Sequence, residues 1–193
     1  NGLYLNGQAL EYLPEIREAL GARPWVGGLF VRDDLIDCCA DTLPQSAVGG
    51  GGHPRSPEIL FSGAWSAEPN AAGIPGLTQS PSGNVASHGM ASPFDVNNTL
   101  VAWGPSFQEG VTSGVPCGIV DIAPTVLQLL GVQAEGMDGR VLEELLRNGP
   151  NPADAPVVRT HRRGRLGAGR DQIAEYSEAG GHRYLDRVTV VEA

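Results

Sequence analysis

The chain has 193 residues, 41% of them hydrophobic and 18% charged, with a formal net charge of -9. That apolar content excludes a disordered chain, and the excess of acid excludes a nucleic-acid duplex as partner, because phosphate binding needs concentrated positive charge. No apolar run approaches the roughly 18 to 20 residues a membrane-spanning helix requires, so no transmembrane segment is expected.

The chain opens at Asn1, and Leu3-Tyr4-Leu5 reads as a short strand. This is expected of a segment of a longer protein, and the sequence leaves the compartment undetermined. Leu10, Leu13, Ile16 and Leu20 recur at helical spacing, with Pro14 suited to a first turn, so the helix is expected to start near Leu13 and to close at Gly21. Residues 25–31, WVGGLFV, read as a buried strand with close backbone approach at Gly27 and Gly28. A helical turn is expected from Asp33 to Ala40. Residues 42–57, which contain Gly49 to Gly52, read as a surface loop. Glu58 to Ser62 is a short strand, and residues 64–87 form a long Gly/Pro/Ser/Asn-rich loop of the kind that often carries function.

Thr99 to Trp103, TLVAW, reads as an apolar strand ended by Gly104-Pro105. Asp121 to Leu130 reads as a helix capped by Asp121 and stopped by Gly131. Asp138 to Arg147 reads as a second amphipathic helix with Val141, Leu142, Leu145 and Leu146 on one face. After the linker Gly149-Pro150-Asn151-Pro152, the stretches 156–163, 172–178 and 183–191 alternate apolar and polar residues, with a hairpin turn at Gly180-Gly181. A small antiparallel sheet is expected there, giving a core domain over 1–149 and an appendage over 150–193. The cluster Arg159, His161, Arg162, Arg163 and Arg165 fits a solvated edge strand of that sheet.

Chemistry-bearing residues are sparse. The chain has 3 cysteines, two of them adjacent at Cys38 and Cys39, and three free thiols are expected. Asp33, Asp34, Asp37 and Asp41 could suggest a cation site, but acids at the start of a helical turn explain them better. No G-x-S-x-G, H-E-x-x-H or Walker sequence is present. Of the 4 histidines, His53, His161 and His182 read as ordinary solvated or half-buried side chains. His88 differs, because Gly89 removes a side chain beside the imidazole at the end of the long loop. By its residues alone it is either a structural loop histidine or a ligand, and one imidazole cannot hold zinc by itself.

The ordered run SHGMASPFDVNNTLVAWGPSFQEGV, then VDIAPTVLQLLGV, then MDGRVLEELL resembles the C-terminal part of the alkaline phosphatase superfamily. The nearest branch is the type I phosphodiesterase/nucleotide pyrophosphatase and sulfatase-like proteins. The resemblance extends more weakly through Arg55 to Leu60 and Gly181 to Asp186. It implies the C-terminal half of an α/β/α sandwich, with parallel strands and covering helices, to which the antiparallel subdomain is added. His88 falls on the histidine that ligates one of two catalytic metals in that family, with Ala86 where the family commonly has Gly.

The resemblance further implies a two-metal hydrolase of small-molecule phosphodiesters, phosphate monoesters or sulfate esters. Its two divalent ions are expected to be zinc. The family's nucleophile and its Asp-His-Gly motif do not occur in these residues. His88 is therefore the one expected metal ligand, no catalytic nucleophile is assigned, and the missing N-terminal part of the same protein is the expected partner. A non-catalytic binding module on the same fold and a phosphomutase relative are the alternatives.

Overall fold

A computed structural model of the protein describes residues 1–50, 52–79, 88–133 and 135–193. The expectations for Gly51 in the glycine run, for the end of the long loop, and for Ala86-Ser87 beside His88 lie outside the described residues. The chain is mixed α/β and forms two compact units: residues 1–98, 161–175 and 185–193 in the first, residues 99–160 and 176–184 in the second.

The first unit is built on a four-stranded sheet of β1 (Gly2–Leu3), β2 (Val26–Val31), β3 (Leu43–Pro44) and β4 (Ile59–Gly63), in the order β1-β4-β2-β3. All six residues of β2 are buried, as its unbroken apolar run requires. Its register against β4 shifts between Val26 and Gly28. At Gly27 the two backbones come so close that a Cβ would lie 2.5 Å from both Ala64 Cα and Gly63 O, so the expected close approach holds there. A Cβ at Gly28 would instead meet the side chains of Phe30 and Val188 rather than a backbone. Helix α1 (Leu13–Gly21) starts where Pro14 places it, after a short 3-10 turn over Ala9–Tyr12. Leu13 joins Val26, Leu29, Val31, Cys39, Ile59 and Leu166 in the core, with Ile16 and Leu20 packed against it.

The expectation of parallel strands is corrected here. Among the described residues of this sheet, β2 and β3 pair in parallel, whereas β4 runs antiparallel to both β1 and β2. A parallel neighbour needs a crossover, usually a helix. Between β2 and β4 the described residues form 3-10 turns and the two residues of β3. Two loop expectations change as well. Residues 42–57 contribute β3 and a 3-10 turn that buries Gln45 and Ala47. Within 64–87, β5 (Trp65–Ser66) and β6 (Leu77–Thr78) pair antiparallel, and Trp65 donates from Nε1 to Val188 O at 2.6 Å.

The C-terminal strands appear as their alternation predicts: β7 (Val158–Gly167), β8 (Arg170–Ala179) and β9 (His182–Glu192). They form a sheet in the order β7-β8-β9, joined by tight connections at 168–169 and 180–181. The arginine-rich β7 is an edge strand, as expected. In the first unit, Gln172 of β8 is fully buried and closes a double hydrogen bond with the backbone of Leu29 (Nε2 to O 2.6 Å, N to Oε1 2.8 Å).

The second unit departs furthest from expectation. Thr99 to Trp103 forms no strand, and the backbone of Leu100 to Trp103 has no hydrogen-bond partner among the described residues. A strand needs a neighbour to complete its ladder, and none is present among those residues. The expected helix over 138–147 is reduced to a 3-10 turn at Glu143–Leu145. The Leu142 N–H, which a helix from Asp138 would use in its ladder, goes instead to Thr125 Oγ1 at 3.0 Å, and the Arg140 N–H goes to Asp121 Oδ1 at 2.8 Å. Helices α2 (Pro93–Val96) and α3 (Ile122–Leu129) complete the inventory of the two units. Asp121 precedes α3 but does not cap it. Its carboxylate reaches back to Gly118 N at 2.7 Å as well as to Arg140 N.

Candidate functional site

His88 belongs to the first unit, and its side chain is exposed. Gly89 follows with φ +76°, a left-handed conformation that costs glycine little. The chain then turns inward. Met90 is buried, its N–H donates to Asp95 Oδ2 at 3.1 Å, and its thioether sulfur accepts from Gly63 N at 3.4 Å. The next residue repeats the attachment: Ala91 N donates to Ser62 Oγ at 2.8 Å, and Ala91 O accepts from Val188 N at 2.8 Å. Ser62 and Gly63 are the last two residues of β4. The histidine is therefore held two residues from an anchor on the carboxyl end of a core strand.

Beside this anchor lies a small cavity of about 210 Å³, whose lining includes Phe30, Leu60, Ser62, Gly89 and Met90. The wall is largely apolar, and Met90 serves there as packing and as a hydrogen-bond acceptor for the end of β4.

The other candidates are used elsewhere. Among the described residues, no group of three or more His, Cys, Asp or Glu side chains is placed to hold a metal ion. His53 accepts from Arg55 N at its Nδ1, and His182 Nδ1 lies 2.9 Å from Gly180 O. His161 is an exposed residue of β7. Three of the four acids that could suggest a cation site are taken by protein donors. Asp33 accepts from Ser46 N at 3.0 Å, Asp34 pairs with Arg32 at 2.7 Å, and Asp41 pairs with the buried Arg17 at 3.0 Å. All three cysteines are free thiols, and burial raises the pKa of Cys39.

Sequence reasoning missed a polar clasp in the second unit. Asp121 is fully buried, and Thr125, one helical turn on, donates from Oγ1 to Asp121 O at 2.7 Å. Arg140 holds Glu144 with two bonds of 2.7 and 2.9 Å and also reaches Pro116 O and Tyr184 Oη. Burial pulls the Glu144 carboxyl upward, but the Arg140 guanidinium outweighs it and holds the pKa below the usual glutamate value. The Tyr184 phenol is pushed up to about 12, chiefly by burial, with Asp121 adding to the rise and Arg140 opposing it. The signal in the sequence was the i,i+4 spacing of Asp121 with Thr125 and of Arg140 with Glu144. Helix periodicity conceals such spacing, because helical ion pairs share it. The bonds of this clasp tie the segment from Pro116 to Asp121 to the segment from Arg140 to Glu144 and to Tyr184, and Glu144 also lines a cleft of about 390 Å³.

No protein-family model, no curated protein and no solved structure matches this chain.

Proposed function

We propose that this chain is the C-terminal portion of a metal-dependent hydrolase of phosphate or sulfate esters, in which His88 is one metal ligand. In this reading the core belongs to an α/β/α sandwich of the alkaline phosphatase type. The observation that carries it is the presentation of His88. An exposed imidazole stands beside a left-handed glycine, and the next two residues are fastened to the carboxyl end of β4. A histidine that only filled space would not need this arrangement. The ordered run from SHGMASPFDVNNTL to MDGRVLEELL supports the same reading.

The described residues fit one ligand position and do not make a metal site. One imidazole leaves three or more coordination positions to other donors, and no cluster among the described residues supplies them. No step of the hydrolysis is therefore assigned to these residues. The part of this chain is to hold one neutral imidazole in place at the strand end and to keep the neighbouring wall apolar.

The test is a comparison of two polypeptides, the full-length protein that carries this chain and residues 1–193 alone. Each is stripped with chelator, restored with zinc, and assayed on bis-p-nitrophenyl phosphate, p-nitrophenyl phosphate and p-nitrophenyl sulfate. Chelator should abolish turnover by the full-length protein and zinc should restore it, while residues 1–193 give none. Chelator-insensitive turnover, or robust turnover by residues 1–193, would reject the reading.

A further inference from the structure

The cavity of about 210 Å³ beside Met90 has a wall without charge. Every residue of its lining belongs to the first unit, and none carries a charged side chain, in a chain of net charge -9. Phe30 and Met90 are 2% and 3% exposed, and the half-buried Leu60, Phe61, Val96 and Leu185 complete the apolar wall. The hydroxyl and the thioether on this wall are already engaged. Ser62 Oγ accepts from Ala91 N at 2.8 Å, and the Met90 sulfur accepts from Gly63 N at 3.4 Å. A charged group placed here would lose its water without gaining an opposite charge, whereas an apolar group would lose nothing.

Size and position narrow the occupant further. Protein interiors are close-packed, and voids larger than a water molecule are few. An apolar cavity of about 150 Å³ is enough to take benzene, so about 210 Å³ has room for a phenyl ring with a small substituent. Phe30, Phe61 and Met90 offer ring and thioether contacts that favour an aromatic guest. Gly89 is part of the same wall, and a Cβ added to it would meet no heavy atom within 4 Å, so the space beside it is open. His88 is the preceding residue, and across a trans peptide its Cα lies about 3.8 Å from that of Gly89. A small ester held at the His88 imidazole therefore has the cavity within its own length.

We propose that this cavity receives the alcohol portion of the ester, an uncharged group of about the size of a phenyl ring. The chain then sets substrate preference besides holding a metal ligand. The proposal rests on the hydrolase reading, and its test separates the two. Phenol is titrated into the zinc-restored full-length protein while the backbone amide resonances are followed. The amides of Leu60, Gly89 and Met90, all in the lining, should shift together and saturate. Val48→Phe, which adds a ring to the lining, should abolish those shifts. Phenylphosphonate is then compared with methylphosphonate as an inhibitor of turnover, or the two sulfonates where the sulfate ester is the one hydrolysed. The paired compounds carry the same charge and differ by the ring. Burial of most of that ring should make the phenyl compound the stronger inhibitor by at least about 10-fold, and Val48→Phe should remove the difference.

Absence of shifts at these amides would overturn the proposal. So would equal inhibition by the two compounds, because the ring would then have no place at the ester's site. Either result with metal-dependent turnover intact would keep the hydrolase and reject the subsite. Saturable shifts in a full-length protein without metal-dependent turnover would keep a site for a small aromatic molecule and reject the ester as its occupant.

Discussion

In the first unit six consecutive residues of β2 are buried, and Leu13, Leu29, Ile59 and Leu166 meet in one apolar cluster. In the second, the polar Asp121, Thr125 and Glu144 are buried beside Val115, Leu142, Tyr176 and Ala179, while Val101, Trp103, Ile122 and Val126 face outward. The first unit is therefore organised by the hydrophobic effect, and polar atoms such as those of Gln172 only complete it. The second adds directional bonds around Arg140 to a smaller apolar core, and several of its large apolar side chains are exposed. A polar clasp fixes geometry well, but an exchange of water bonds for protein bonds yields only about 1 kcal/mol per bond. The second unit should accordingly be the easier of the two to open.

The comparison can be broken first at the apolar core. Leu29→Ala should cost about 4 kcal/mol, in the range for large-to-small changes at fully buried sites, read as a lowered urea midpoint. A cost below about 1 kcal/mol would mean that the cluster around β2 does not hold the first unit. Next comes the clasp. Arg140→Ala strands Glu144 and should cost about 3 kcal/mol, since removing one partner leaves a buried charge uncompensated. Hydrogen exchange should show the loss at the Gly118 and Leu142 amides, with the amides of β2 unchanged. Equal loss in both would show that the two units open together. Gly27→Ala should cost about 2 kcal/mol by overpacking, because its Cβ would meet the Ala64 backbone.

Much of the first unit was legible because its burial follows one strand or one helix at a time. WVGGLFV marked β2, the spacing of Leu13, Ile16 and Leu20 marked α1, and alternation marked β7 to β9. The antiparallel return of β4 was not legible, since nothing local to Ile59–Gly63 encodes its direction. Asp138 to Arg147 was misread for a related reason. Its periodicity is helical, but Thr125, distant in sequence, takes the Leu142 N–H that a helix would need, and Asp121 holds the Arg140 N–H beside it. His88 stood out by its neighbour Gly89, whereas its anchoring through Met90 to Ser62 and Gly63 could be seen only in three dimensions.

Acid sharpens the comparison because each unit buries one depressed glutamate. Burial pulls Glu58 upward, but the Leu5 N–H and the Arg32 guanidinium outweigh it. Burial likewise pulls Glu144 upward, and Arg140 outweighs it. Both therefore titrate below the ordinary value of 4.5 in the folded protein. On acidification the unfolded chain takes up these protons first, so the stability they contribute is complete well above pH 4.5. It is lost as the pH falls through the lower folded values. Urea midpoints should fall as the pH is lowered below about 5, and Glu58→Gln or Glu144→Gln should flatten that fall. An acid limb as steep in the variants as in the parent would assign the effect to other carboxylates. The smallest effect is expected at the open surface. Trp103→Ser in residues 1–193 should change stability by less than about 0.5 kcal/mol, and a larger loss would show that the indole is already covered.

The most direct measurement of the central claim is a zinc titration of turnover for His88→Ala in the full-length protein, with His53→Ala and His161→Ala beside it. Losing one ligand weakens the site without disturbing a core, since His88 is exposed. His88→Ala should lose turnover by about 100-fold or more at low zinc, as loss of a metal ligand's site implies, and should recover part of it at high zinc. The two control variants should stay within a few-fold of the parent. Full turnover by His88→Ala at low zinc would contradict the assignment and return His88 to the role of a structural loop histidine.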